Sequence, residues 1–334
     1  MPIKCYAAMK AKGQLEKFQY EPMPLAPFDI DIDITHCGIC HSDVHLIDND
    51  WQITEYPIVP GHEIVGTVTD IGVGVKKFTI GQRVGVGWQC GACWHCDMCI
   101  SGDHNLCPEI KATCVGNHGG FARSIRVDSR FAFFIPDAIE SESAAPLLCG
   151  GITVYNPLRE YNVRPHQKVG VIGIGGLGHL ALQFANAIGC KVTAFSSSPD
   201  KEQEAKGFGA HYFIPTNEKD AFEKAVGSLD FIISTVHVDQ DWPAILNVLK
   251  PKGKLCIVGA VTNPMIIPAF SLILQQKSVV GSPIGGRMAI REMLQLAARH
   301  NIKAMTEVVP MSEVNKAVDR TRQGKARYRM VLKN

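Results

Sequence analysis

The sequence predicts an α/β protein of two domains, a turn-rich β domain followed by a doubly wound parallel sheet. Three observations point there. The chain has 334 residues, more than a single hydrophobic core usually serves. Residues 1–150 are dense in β signals, interrupted by glycine and proline, and hold no convincing long helix. From Gly150 onward, short apolar strands alternate with helical stretches, the pattern of parallel βαβ crossovers.

In the first part, Asp29-Ile-Asp-Ile-Asp-Ile alternates strictly, as a half-buried strand does. Glu63-Ile-Val-Gly-Thr-Val-Thr reads as a second strand. In the second part, Lys168 to Ile172 is a short apolar strand that runs into a glycine-rich turn and then a helix from Leu177 to Ile188. Val192 to Phe195 follows as a strand and Asp200 to Phe208 as a helix. Further strands fall at His211 to Ile214, Asp230 to Ser234, Lys254 to Val258 and Ser278 to Val280, with a helix from Trp242 to Leu249. A helix from Met288 to Ala298 and a strand from Tyr328 to Leu332 close the chain. Periodicity alone leaves open whether this last segment extends the second domain or returns to the first.

Composition removes several classes of function. Lys plus Arg is 34 and Asp plus Glu 32, a formal charge of +2, so neither nucleic acid nor an anionic membrane is expected as the main partner. The basic stretch from Arg320 to Arg329 reads as a solvated helix end. Hydrophobic content is 46%, ordinary for a globular chain, and no run of 18 apolar residues offers a membrane span. The start, Met1-Pro-Ile-Lys-Cys-Tyr, carries no apolar leader or cleavage site. With twelve cysteines in such a chain, a reducing compartment, the cytoplasm, is expected.

Cys93, Cys96, Cys99 and Cys107 place four thiols within one short loop. Such crowding suits metal ligation better than disulfides, and zinc holds four thiolates tetrahedrally at ~2.3 Å. Downstream, Gly173-Ile-Gly-Gly-Leu-Gly178 matches the dinucleotide fingerprint in its required context, after a strand and opening a helix. Gly173 serves the tight turn, Gly175 the approach of a pyrophosphate and Gly178 the packing of helix on strand, with Gly176 and Leu177 completing the loop. The helix N-terminus then offers unpaired N–H groups to phosphate. At the end of the next strand an acidic residue would bind the ribose of NAD. Here stand Ser196, Ser197, Ser198 and Lys201, three hydroxyls and an ammonium suited to the 2′-phosphate of NADP.

A catalytic zinc needs three protein ligands and one open position. Candidates lie in Cys37-Gly-Ile-Cys40-His-Ser-Asp43-Val-His45, in Gly61-His62-Glu63 and at Cys149. On chemistry alone, Cys37 and Cys40 compete for one role.

In combination and in order, Gly38-Ile-Cys40-His-Ser-Asp43, Pro60-Gly-His62-Glu63, the four-cysteine lobe, Leu147-Leu-Cys149-Gly-Gly-Ile-Thr153, the Gly173 fingerprint and Arg327-Tyr-Arg-Met-Val-Leu332 resemble the zinc-containing medium-chain alcohol dehydrogenases, and among them the cinnamyl alcohol dehydrogenase-like branch. The resemblance spans essentially the whole chain. It implies a GroES-like catalytic domain over 1–150 and 287–334, with a Rossmann NADP-binding domain over 151–286 between them. It implies two zinc ions per chain: a catalytic one on Cys40, His62 and Cys149, and a structural one on Cys93, Cys96, Cys99 and Cys107. Glu63 stands beside the first as a residue able to enter or leave its shell, and Asp43 as the carboxylate that orients the zinc-bound imidazole. Cys37 is then no ligand and Cys90 is a spare thiol. Arg329 matches a position that reaches the cofactor pyrophosphate, the competing reading being an exposed strand arginine.

The same resemblance implies an oxidoreductase interconverting alcohols and aldehydes. Ser42 would pass the alcohol proton through the cofactor ribose hydroxyl to His45, whose imidazole suits exchange with solvent near neutrality. Without the resemblance, Ser42 reads as a helix N-cap and His45 as a surface imidazole. A homodimer is implied, joined near Ser278 to Gly286. Between Cys107 and Phe121 the chain is shorter than many plant relatives, so cinnamyl specificity does not transfer; Trp51, Trp88 and Gln89 are candidate pocket residues. A zinc-free quinone reductase of the same fold would lack Cys40, His62 and the four-cysteine lobe. A non-enzymatic zinc-stabilised binding module would need that lobe but neither the fingerprint nor Cys149.

Overall fold

In the first part of the chain, the alternation of Asp29-Ile-Asp-Ile-Asp-Ile becomes the start of a strand, Asp29–Ile39, whose isoleucines 30, 32 and 34 are fully buried. The computed structural model describes residues 1–218, 220–261 and 263–334. These fall into two compact units, Met1–Ile152 with Gly285–Asn334, and Thr153–Ile284.

The first unit is built on a seven-stranded sheet. Six strands run in the order Thr306–Pro310, Arg329–Lys333, Asp29–Ile39, Glu63–Ile71, Arg83–Val86 and Ala132–Phe134, and Ser124–Asp128 also pairs with Asp29–Ile39. Arg329–Lys333 lies antiparallel to Asp29–Ile39, with Leu332 opposite Cys37. The end of the chain therefore returns to the first unit, the choice that periodicity left open. The core combines Ile30, Ile32, Ile34, Ile64, Val68 and Phe121 with Met330 and Leu332 from the returning strand. Outside the sheet, Gln89–Gly91 pairs with Lys111–Ala112 across the four-cysteine loop.

The second unit is a six-stranded sheet with every neighbouring pair parallel. Its order is Tyr212–Pro215, Lys191–Ser196, Lys168–Ile172, Leu229–Ser234, Leu249–Ile257 and Ser278–Gly281. The chain enters at Lys168–Ile172 in the middle, builds outward to one side, then crosses to build the other. That reversal creates a crevice at the strands' carboxyl ends, where such sheets bind ligands. Expected and observed strands agree to within a few residues. The main differences are Leu249–Ile257, which begins earlier than Lys254, and the stretch 200–208, which is a 3₁₀ turn Pro199–Lys201 followed by the helix Glu202–Gly207. Among the described residues, no helix is long and apolar enough to cross a membrane.

Candidate active site

The strand Asp29–Ile39 ends where the helix His41–Asp48 begins, and Cys40 is the N-cap between them. Ser42 is therefore inside the first turn and is not the cap. Asp43, in that same turn, is wholly buried and organises its surroundings. One carboxylate oxygen accepts the Cys40 backbone N–H at 2.9 Å, which closes the helix start. The other accepts the Gly61 N–H at 2.9 Å and faces His62 Nδ1 at 2.9 Å. A carboxylate only accepts, so Nδ1 carries a proton, and Nε2 is the ring nitrogen left to ligate a metal. That nitrogen lies 3.3 Å from Cys149 Sγ.

Cys149 sits on a π-helical turn, Leu147–Gly151, buried in the first unit. The donor atoms of Cys40, His62, Glu63 and Cys149 all lie within 4.8 Å of one another. Cys37 is outside this group. An irregularity in the ladder between Ile34 and His36 breaks the strand's alternation, and Cys37, Gly38 and Ile39 are all buried beyond it; the Cys37 thiol donates to the Gly38 carbonyl. Burial pushes that thiol well above its ordinary value. Cys40 behaves oppositely. Its hydrogen bond with Cys149, helped by His62 and the Arg329 charge, holds it well below the ordinary thiol range despite burial.

Glu63 opens the next strand opposite Gly38 in the ladder. A side chain at 38 would collide with the Glu63 carboxylate, its Cβ falling 2.0 Å from Oε2, so only glycine leaves room there. Arg329 comes from the returning strand and pairs with Glu63 Oε1. It is 5% exposed, which rules out the exposed-arginine reading, and in this structure the guanidinium is directed at Glu63. Glu63 Oε2 is buried without a hydrogen-bond partner. Burial pushes the carboxyl up to about 7, against the pull of Arg329. A buried, unpartnered carboxylate oxygen among two thiols and an imidazole nitrogen is a set of donors that fits a zinc ion.

The four-cysteine loop fits a second zinc. Its four sulfurs also lie within 4.8 Å of one another, and Cys93 and Cys99 are 3.9 Å apart. Ligands at ~2.3 Å on a tetrahedron stand ~3.8 Å from each other. The backbone N–H of Cys93 points at Cys107 Sγ and that of Cys96 at Cys93 Sγ, both at 3.4 Å. Backbone N–H groups of His95 and Cys96 bring Cys93 down to about 6, toward the thiolate that zinc requires. Cys90 stands outside this set, its thiol near Asn117 at 3.8 Å and pushed by burial up to about 12.

A chain of three aromatic contacts leads away from His62. Trp88 meets it edge-on with ring centres 4.9 Å apart, Trp51 lies 6.3 Å from Trp88, and His45 lies 5.2 Å from Trp51. Gln89 does not belong with them. It is 4% exposed, and its amide donates to the carbonyls of Gly91 and His104, bracing the four-cysteine loop. Ser42 Oγ is 3.7 Å from Cys40 Sγ. His45 is partly exposed one turn further along the helix, held by Asp50 at 2.7 Å. One participant had no sequence signal: Cys114, in the short segment after Cys107, is buried behind His62 with its sulfur 4.0 Å from Nδ1. Thr113 beside it donates to the carbonyl oxygens of Gly87 and Trp88, fastening the bend that carries Trp88.

In the second unit, each glycine of the fingerprint has a separate reason. Gly173 has φ +86°, a conformation that favours glycine. A Cβ at Gly175 would meet nothing within 4 Å, leaving the backbone open to a ligand, whereas one at Gly178 would fall 1.8 Å from the Gly173 carbonyl. Gly176 and Leu177 lead into the helix Gly178–Ile188. At the next strand end Ser196 is buried and accepts the Ser198 N–H at 3.2 Å, while Ser197 is exposed. Lys201 Nζ donates to the Ile174 carbonyl at 2.8 Å, which brings the ammonium onto the glycine loop.

Residues 26–137 match the family described as the alcohol dehydrogenase GroES-like domain, and residues 176–299 match the zinc-binding dehydrogenase family. The chain is 44% identical to aldehyde reductase AdhA of Synechocystis sp., over 99% of this chain and 98% of that protein. The chain belongs to the zinc-containing medium-chain alcohol dehydrogenases, in their cinnamyl alcohol dehydrogenase-like branch. Solved structures agree. Cinnamyl alcohol dehydrogenase SbCAD4 of Sorghum bicolor superposes with a TM-score of 0.96 at 38% identity, covering 100% of this chain and 98% of that one. A cinnamyl alcohol dehydrogenase of Helicobacter pylori, solved with NADP(H), gives 0.91 at 33% identity, covering 100% and 99%. This alcohol dehydrogenase thus combines a GroES-like domain with a Rossmann-like one.

Proposed function

We propose that the protein is a zinc-dependent, NADP(H)-preferring alcohol dehydrogenase and aldehyde reductase, acting on primary alcohols, including aromatic or allylic ones, and their aldehydes. The reading is carried by the meeting of Cys40, His62, Glu63 and Cys149, with one Glu63 oxygen left unpartnered. Catalytic zinc would sit on Cys40, His62 and Cys149 with Glu63 in reserve, and structural zinc on Cys93, Cys96, Cys99 and Cys107. Once bound, zinc would supply Lewis acidity favouring the ionised alcohol, and NADP(H) would exchange the hydride.

The protein's own residues supply orientation and proton handling. Asp43 keeps His62 in the tautomer that offers Nε2. Trp88 packs on that imidazole and limits water around it. Ser42 Oγ receives the alcohol proton, and His45, steadied by Asp50, hands it to solvent. Residues 1–150 with 287–334 would form the catalytic domain and 151–286 the cofactor domain, a division the two compact units support. All twelve cysteines are free, which favours the cytoplasm.

A panel of aldehydes assayed with NADPH and with NADH tests activity and cofactor together. Ser196, Ser197, Ser198 and Lys201 put no carboxylate where the 2′-phosphate would lie, so kcat/KM should favour NADPH at least ~10-fold, about 1.4 kcal/mol. The exposed Ser197 takes a new charge more readily than buried Ser196. The double change Ser197→Asp with Lys201→Ala should remove the preference. A wild-type preference for NADH would refute the assignment.

A homodimer joined along the edge strand Ser278–Gly281 is the favoured assembly. An unpaired strand edge invites pairing, and beside it Ile266, Phe270, Ile273 and Leu274 are each at least 65% exposed. Sedimentation should give twice the chain mass for the wild type and a monomer for Phe270→Glu with Leu274→Glu. A monomeric wild type at micromolar concentration would contradict this.

A further inference from the structure

Lys77, Arg287 and Arg291 form a cluster of cations in the first unit, and among the described residues none of the three makes an ion pair. Lys77 Nζ donates to the Ala132 carbonyl at 3.0 Å, and Arg287 Nε donates to the Arg130 carbonyl at 2.6 Å. Those carbonyls are two residues apart, so one short segment holds both cations. Each uses a single N–H there, of the three on an ammonium and the five on a guanidinium. Arg291 lies one turn beyond Arg287 on the helix Arg287–His300, exposed, and makes no ion pair among the described residues. The nearby Arg130 differs: its guanidinium is tied to both oxygens of Asp128.

The surroundings are aromatic. Lys77 Nζ lies 4.4 Å from the centre of the Phe78 ring and 5.4 Å from that of Phe134, and Arg287 lies 5.1 Å from Trp94. Burial, then the Arg287 and Arg291 charges, pushes Lys77 down to about 8. Arg287 is also lowered, by burial and by Arg130 and Arg291, with Asp128 opposing. The positive end of the fourteen-residue helix adds charge of the same sign. Cations that repel one another and keep unused donors gain most from a ligand with two negative charges and several acceptor oxygens. Phe134, 44% exposed, offers a flat apolar surface beside them.

We propose that Lys77, Arg287 and Arg291 bind a dianion of the phosphate class, either free phosphate or the head of a phosphate monoester whose stem rests on Phe134. None of these residues belongs to the proposed zinc or cofactor sites.

Acetylation of Lys77 in the zinc-loaded full chain provides a local readout, followed by peptide mass spectrometry with inorganic phosphate, phenyl phosphate or sodium chloride at equal ionic strength. Either phosphate should slow acetylation of Lys77 several-fold along a saturating curve, with Lys4 unaffected. Protection by phenyl phosphate at lower concentration assigns the monoester, and equal protection assigns the free ion. Arg291→Ala, which removes an exposed side chain with no ion pair among the described residues, should fold normally and weaken the protection; Arg287→Gln should do so as well. The proposal fails if sodium chloride protects as well as phosphate, if neither phosphate protects, or if protection survives in the double variant.

Discussion

Cys40→Ala abolishes turnover while leaving the fold intact: kcat/KM for aldehyde reduction is expected to fall by ~10³-fold or more, with bound zinc dropping from two ions per chain to one. Lewis-acid stabilisation of developing charge is worth several kcal/mol, and ~4 kcal/mol corresponds to that factor. The helix His41–Asp48 survives because Asp43 caps the backbone N–H of residue 40, which alanine retains. Cys99→Ala should fail in the opposite way. Its sulfur belongs to a loop without a large core of its own, and structural zinc contributes ~10–16 kcal/mol in small metal-folded peptides. That is comparable to the ~5–15 kcal/mol net stability of an ordinary domain, so the loop is expected to lose its shape without the ion. Thermal unfolding and metal analysis on both variants separate the two effects. Near-normal activity in Cys40→Ala would overturn the ligand assignment. Two zincs in the wild type also exclude a zinc-free reductase, which would bind none, and a non-enzymatic module, which would bind one.

Ser42→Ala should nearly stop the reaction, by ~10²–10⁴-fold in kcat, the range for a general acid–base group. Ser42 is half-buried with its hydroxyl 3.7 Å from Cys40 Sγ, at the inner end of the proposed proton path. His45 is at the outer end, partly exposed and bonded to Asp50, where water can replace it. His45→Gln should therefore slow the reaction ~10-fold or less and change its pH profile. Reduction uses the path in reverse, so both directions should weaken together in each variant. The measurement is kcat against pH for oxidation and for reduction. An unchanged rate and profile in Ser42→Ala would eliminate this relay.

Much of the protein was legible in the chain because it is written at short spacing. Four cysteines in one loop need no tertiary information to be read as a metal site, and the fingerprint places its glycines within a single turn. The alternation of Asp29 to Ile34 states which side of a strand is buried, and the structure buries the three isoleucines accordingly. Gln89 was misleading for a physical reason. A polar side chain beside a candidate pocket tryptophan looks available from sequence, yet its amide nitrogen donates to two carbonyls within the protein.

The candidate catalytic constellation is different, because its members are distant in the chain and meet only through strand register. Residue chemistry could not choose between Cys37 and Cys40; the ladder irregularity between Ile34 and His36 does, placing Cys37 in the core while the chain leaves the strand at Cys40. Gly38 then makes the space that Glu63 fills from the adjacent strand. The returning strand adds Arg329, whose guanidinium pairs with Glu63. Lys77, Arg287 and Arg291 show the same limit, since no spacing announces that they share one segment's carbonyls. Sequence by itself determined the local devices: loop ligands, the phosphate turn, the strand alternation and the fold class. Only tertiary structure decided which thiol faces the metal site, which oxygen is left without a partner and where each buried charge finds its counter-charge. Those outcomes depend on register and burial between segments far apart, and local spacing does not encode them.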